Sequence, residues 1–177
     1  VILREKIKLS DIDYFLFPRI DLPFQKQSLD LLNIPISKRL SSQTFRHVYA
    51  DQIIAVDHPC VILNDPLKDN ENVPDWIINF YKDELNIKVN FEKKYDQIFI
   101  DRDYSTSNIK HLRKIINNKE VKEFLVKKGF KIIKLSTHSF VEQINIFHHA
   151  NKIVGLHGAG FSNLLFCRPN TKIVEIK

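Results

Sequence analysis

The run His157-Gly158-Ala159-Gly160 has the residue types and spacing of an anion-binding turn. Glycines let backbone N–H groups come close to a charged oxygen, and a helix that follows aims its positive end at the same point. A phosphate is the expected ligand, and the alternative is that the glycines only let strand and helix pack. A dinucleotide fingerprint needs glycine at i, i+2 and i+5; here Gly158 and Gly160 are followed by Asn163, which disfavours a nicotinamide cofactor. His157 stands at the carboxyl end of a strand, where open α/β sheets receive ligands, and a neutral imidazole there can donate to a phosphate or sugar oxygen. Asn163 can cap or bridge backbone groups, or hold the ligand. Glu175, near the end of the next strand, is placed to accept both hydroxyls of a ribose, or is a strand-end carboxylate in water.

Asp101-Arg102-Asp103 also follows a strand, and it spells the D-x-D with which metal-dependent sugar transferases clamp a divalent ion on a diphosphate. The spelling is weak evidence, because Asp11-Ile12-Asp13 has it too. Arg102 is the more informative residue. A guanidinium at a strand's carboxyl end can neutralise a diphosphate in bidentate geometry without a metal. His148 and His149 are adjacent on a helix and diverge, so they make no metal pair.

The elements that must position these groups are legible in the second half of the chain, where short β-branched runs alternate with helical patterns. Strands are expected at Gln97 to Ile100, Phe130 to Leu135, Lys152 to Leu156 and Thr171 to Ile176. Between them lie helices from Asn118 to about Lys128, stopped by Gly129, and from Phe140 to Ala150, opened by the capping box Ser139-x-x-Glu142. Phe161 to Phe166 reads as a short helix. This is a Rossmann-like half. The first half is less periodic: a strand at Ile12 to Phe17, a helix at Phe24 to Asn33, one or two strands within Thr44 to Val56, and a helix at Pro74 to Leu85. A boundary between Asn86 and Lys94 divides the chain into segments 1–90 and 91–177.

With 27 Lys and Arg against 21 Asp and Glu, the formal charge of 27 − 21 = +6 suits anionic ligands. Nucleic acid is disfavoured, because the chain has no zinc spacing, basic-region helix or aromatic RNA-binding strand. Cys60 and Cys167 are too far apart for a C-x-x-C metal or redox pair, and two thiols fit a reducing compartment. No apolar run approaches the ~20 residues that span a bilayer. The chain has no Met and begins at Val1, so it reads as a piece of something longer, with any membrane association carried by parts outside it.

Taken in order, Ile100-Asp101-Arg102, Arg113 to Asn117, Phe140-x-x-Gln143, Ala150, Val154-Gly155-x-His157-Gly158-Ala159-Gly160-x-x-Asn163-Leu164-Leu165-Phe166 and Val174-Glu175 resemble glycosyltransferase family 61. That group includes bacterial capsular-polysaccharide enzymes, plant xylan-decorating transferases and animal O-linked GlcNAc transferases. The resemblance runs from about Tyr95 to Ile176 and is diffuse upstream. It implies an α/β fold of two Rossmann-like GT-B lobes, the C-terminal one nearly complete and the N-terminal, acceptor-side one partial. It further implies a nucleotide-diphosphate sugar held by the C-terminal lobe, a glycan or glycoprotein acceptor, inversion, and no required metal or other cofactor. By position, Arg102 and Arg113 orient the donor diphosphate, Asn117 lies beside them, and His157, Gly158, Ala159 and Gly160 with Asn163 form the phosphate cradle. The chain departs from the pattern at Asn118, where an acidic residue is common, and in the polar loop between Asp103 and Leu112.

An inverting enzyme also needs a general base; Asp11, Asp13, His47, Asp57 and His58 are available, with nothing to choose among them. Two other readings stand beside this one: a non-catalytic nucleotide- or sugar-binding module, and a metal-dependent GT-A transferase using Asp101 and Asp103. The Lys-, Asn- and Ile-rich composition points to an AT-rich genome and a microbial or viral surface-glycan pathway. The setting would be the cytoplasm or the cytoplasmic membrane face in a microbe, and the Golgi or ER lumen in a eukaryote.

Overall fold

The computed structural model describes residues 7–56, 73–86, 94–102 and 114–177. By its internal contacts the chain divides into two compact units, Val1–Lys88 and Val89–Lys177. Both contain parallel strands and helices, so the protein is mixed α/β. Among the described residues, no helix is long and apolar enough to cross a membrane.

The first unit holds a two-stranded parallel sheet of β1 (Phe15–Phe17) and β2 (Arg39–Ser41), with α1 (Pro23–Leu31) between them and α2 (Asp75–Asn86) after them. Proline at the first turn suits the start of α1. The helix ends where Asn33 takes φ 57°, so that Ile34 N–H reaches back to the Leu29 carbonyl at 3.0 Å. Strands expected within Thr44 to Val56 are not formed: those residues are turns and irregular chain, and β2 lies earlier. Alternation alone misleads there, because a strand needs a backbone partner, and Tyr49, Ile53 and Val56 are left exposed.

The second unit is a four-stranded parallel sheet ordered β4-β3-β5-β6. Its strands are β3 (Gln97–Ile100), β4 (Lys131–Ile133), β5 (Lys152–Leu156) and β6 (Lys172–Ile176), with α3 (Asn118–Lys127) and α4 (Phe140–His149) in the crossovers. Local signals set the helix ends. Gly129 takes φ 86°, letting Phe130 N–H bond the Leu125 carbonyl and Gly129 N–H that of Val126, each at 2.9 Å. Ser139 Oγ accepts from Glu142 N–H while Ser139 N–H donates to the Glu142 carboxylate. Donation from Ser139 N–H and from the Ser139 hydroxyl, each 2.9 Å from the carboxylate, holds the Glu142 carboxyl below its ordinary range. The strand expected to run to Leu135 stops at Ile133, because Leu135–Thr137 tighten into a 3-10 turn before the capping box.

Ile98, Phe99, Ile133, Ile144, Ile146, Phe147 and Ile153 are essentially out of water and form the core of this unit. After β5 the chain enters an eight-residue 3-10 segment, Ala159–Phe166, rather than an α-turn beginning at Phe161. It is fastened to α4, with the rings of Phe140 and Phe166 edge to face at 5.9 Å.

Candidate functional site

Strand order decides where a ligand can enter. The chain leaves β3 for β4 on one side, then crosses back to place β5 on the other side of β3. The connections that follow β3 and β5 therefore diverge, and a crevice opens at the carboxyl ends of these two neighbours. Ile100 pairs with Gly155, so the residues reaching that crevice are Asp101-Arg102 from β3 and His157-Gly158 from β5.

Alternation along β3 separates the two charges. Asp101 is 6% exposed, and its carboxylate takes the ammonium of Lys122 on α3 at 2.6 Å. That carboxylate is thus committed to holding α3 against the sheet, which leaves it poorly placed as half of a metal clamp. Asp103 lies outside the described residues, as does Arg113. Arg102 is exposed. Its guanidinium lies beside the Gly158 backbone, where a Cβ on Gly158 would stand 3.7 Å from one terminal nitrogen and 4.0 Å from the other. A planar cation therefore sits at the entrance of the glycine turn. The leading N–H groups of the 3-10 segment, those of Ala159 and Gly160, belong to the turn that any helix start leaves without intrahelical partners. Two sources of positive potential meet at this place.

The glycines differ in task. A Cβ at Gly160 would come within 2.8 Å of Leu135 Cδ1 and 3.6 Å of Ile100 Cγ2, so its missing side chain is space filled by the unit's own core. Gly155 is hemmed in from two sides: a Cβ would lie 2.9 Å from the Phe161 ring and 3.1 Å from Ile100 Cβ. Only Gly158 has its open side toward a functional side chain. Glycine inside a strand often marks such a close approach, and that signal at Gly155 was legible in the sequence without its partner.

Asn163 is buried, and its amide donates to Gln143 Oε1 at 3.0 Å and more weakly to the Gly160 carbonyl at 3.4 Å. Gln143 in turn donates to the carbonyls of Leu135 and His138. Asn163 is thus a brace that fixes the turn to α4 rather than a group turned outward to a ligand. Asn117 is exposed and donates to Glu120 at 3.3 Å within the start of α3. It lines a groove of about 360 Å³ between α3 and Val154, and its contacts do not join the Arg102–Gly158 cluster.

His157 Nδ1 is 2.6 Å from a carboxylate oxygen of Glu175 on β6. The backbone helps to set this pair, since His157 N–H donates to the Ile176 carbonyl at 2.8 Å and prolongs the β5–β6 ladder. An ionised carboxylate only accepts, so the hydrogen of a neutral His157 resides on Nδ1 and its Nε2 is an acceptor. With Nδ1–H held by Glu175, donation to a phosphate from Nε2 requires the protonated ring. The lysine on Asp101, the Gln143 brace and the Glu175 partner all lie 18 to 21 residues away in sequence, and no spacing rule announces them.

The family model described as Glycosyltransferase 61 matches residues 11–174. Among curated proteins, no match was found. The family match spans both units and includes Asp101, Arg102 and His157 through Gly160, ending one residue before Glu175, and the chain belongs to glycosyltransferase family 61.

Proposed function

We propose that the crevice at the carboxyl ends of β3 and β5 holds the diphosphate of a nucleotide-sugar donor, within a GT-B-type enzyme that transfers the sugar with inversion to a glycan or glycoprotein hydroxyl. Membership of the family supplies the coarser statement, a glycosyltransferase with a sugar donor and an acceptor. The observation that carries the finer reading is the Arg102 guanidinium lying against Gly158 at the sheet's switch point. The acceptor oxygen attacks the anomeric carbon as the bond from that carbon to the diphosphate oxygen breaks, and the acceptor proton passes to a base. Charge grows on the leaving diphosphate, so preorganised donors aimed at it lower the barrier. Arg102 and the amides of the Ala159–Gly160 turn are those donors. Surface or capsular polysaccharide is the proposed setting for the acceptor.

Arg102 supplies the positive charge that a metal otherwise would, and Asp101 is engaged by Lys122. Turnover is therefore expected to persist in excess EDTA, measured as nucleotide released in the presence of sugar donor and acceptor. A chelated, inactive enzyme restored by Mn²⁺ would contradict the metal-free mechanism.

A further inference from the structure

We propose that His157 and Glu175 act as one unit, in which Glu175 holds the His157 ring through Nδ1 so that the protonated ring donates from Nε2 to the donor's diphosphate, and that Glu175 is a positioning residue rather than a ribose ligand. The proposal rests on the crevice being a diphosphate site. Three observations carry it. The Nδ1 to carboxylate distance is 2.6 Å, a little shorter than the ~2.7–2.9 Å of a charge-assisted N–H···O bond, so the two groups are directly bonded. The His157 side chain is 47% exposed against 31% for Glu175, so with Nδ1 engaged, Nε2 is the nitrogen left for a ligand. His157 also directly precedes Gly158, whose open side meets the guanidinium of Arg102, so the ring belongs to the same turn as that cation. With Glu175 as partner the His157 pair is neutral overall, and the protein presents a directed N–H without adding an unpaired charge.

The two roles for Glu175 separate on a ligand that has phosphates and no ribose. Inorganic pyrophosphate is the probe, its affinity measured by calorimetry near neutral pH on the whole chain, with thermal melts to verify folding. Glu175→Ala and His157→Ala are each expected to weaken pyrophosphate binding about tenfold, the size of one lost charge-assisted bond. Glu175→Ala should add nothing in the His157→Ala background, because it acts only through the ring. Glu175→Gln, which keeps an acceptor without the charge, should fall between. In the pyrophosphate complex, ring ¹⁵N shifts of His157 should show hydrogen on both Nδ1 and Nε2 in the parent, and a neutral ring in Glu175→Ala.

Unchanged pyrophosphate affinity in Glu175→Ala, together with weaker binding of UDP, would overturn the proposal in favour of a ribose contact. Tighter pyrophosphate binding in that variant would also overturn it, leaving Glu175 as a repelling charge. Either result, with Arg102→Ala still weakening pyrophosphate, would sink the pair alone. A parent that binds no pyrophosphate would sink the diphosphate reading and the pair with it.

Discussion

Arg102→Ala is expected to lower kcat/KM for the sugar donor roughly ten- to a hundredfold, with little change in folding stability. Hydrogen bonds to charged groups contribute ~1.5–3 kcal/mol net, and each ~1.4 kcal/mol is a decade in rate. Arg102 is exposed, and its guanidinium lies against the Gly158 backbone rather than in the core, so its removal leaves no cavity. Arg102→Lys should recover only part of the loss, because an ammonium keeps the charge and gives up the planar fork that fits two phosphate oxygens. Kinetics with varied donor decide the matter. Variants matching the parent would remove Arg102 from the site.

Valine substitutions at the three glycines around the crevice should divide into losses of stability and losses of binding. At Gly155 the first carbon already meets Ile100 Cβ at 3.1 Å and the Phe161 ring at 2.9 Å, and branched atoms beyond it must displace the 3-10 segment from the sheet. Overpacking of this kind costs ~1–3 kcal/mol or more, which lowers Tm by roughly 3–10 °C in a chain of this size. Gly160→Val should lie at the gentler end of that range, because its nearest obstacle is the tip of the Leu135 side chain. Gly158→Val should instead keep Tm near the parent's and weaken nucleotide binding about tenfold, since the new side chain displaces the guanidinium of Arg102. Melting curves and calorimetry on the same three proteins make the test. A Gly158 variant with unchanged affinity would mean that this glycine serves packing alone.

What could be read from the sequence was what local chemistry determines. The left-handed stop at Gly129, the Ser139–Glu142 box and the four parallel strands of the second unit follow from residues within a few positions of one another. The approach of Arg102 to Gly158 follows one step later, since the observed strand order makes β3 and β5 neighbours and both residues stand at carboxyl ends. Pairings across long sequence separations were hidden. Nothing about Lys122 marks it as the partner of Asp101, and nothing in Arg39-Leu40-Ser41 marks a strand until Phe15–Phe17 is set beside it. Glu175 was correctly placed at a strand end, yet its register against Gly155 in β5, and so its reach to His157, exists only once β6 has paired.

The central claim is that a donor diphosphate binds at the carboxyl ends of β3 and β5. Titrating UDP, GDP and dTDP in turn into the ¹⁵N-labelled protein, with backbone amides assigned, tests it most directly. At least one nucleotide should shift the amides of Asp101, Arg102 and His157 through Gly160 together, in one saturable process that Arg102→Ala weakens. Saturable shifts confined to the groove lined by Asn117, Val121, Phe124 and Val154, with the glycine turn unmoved, would contradict it.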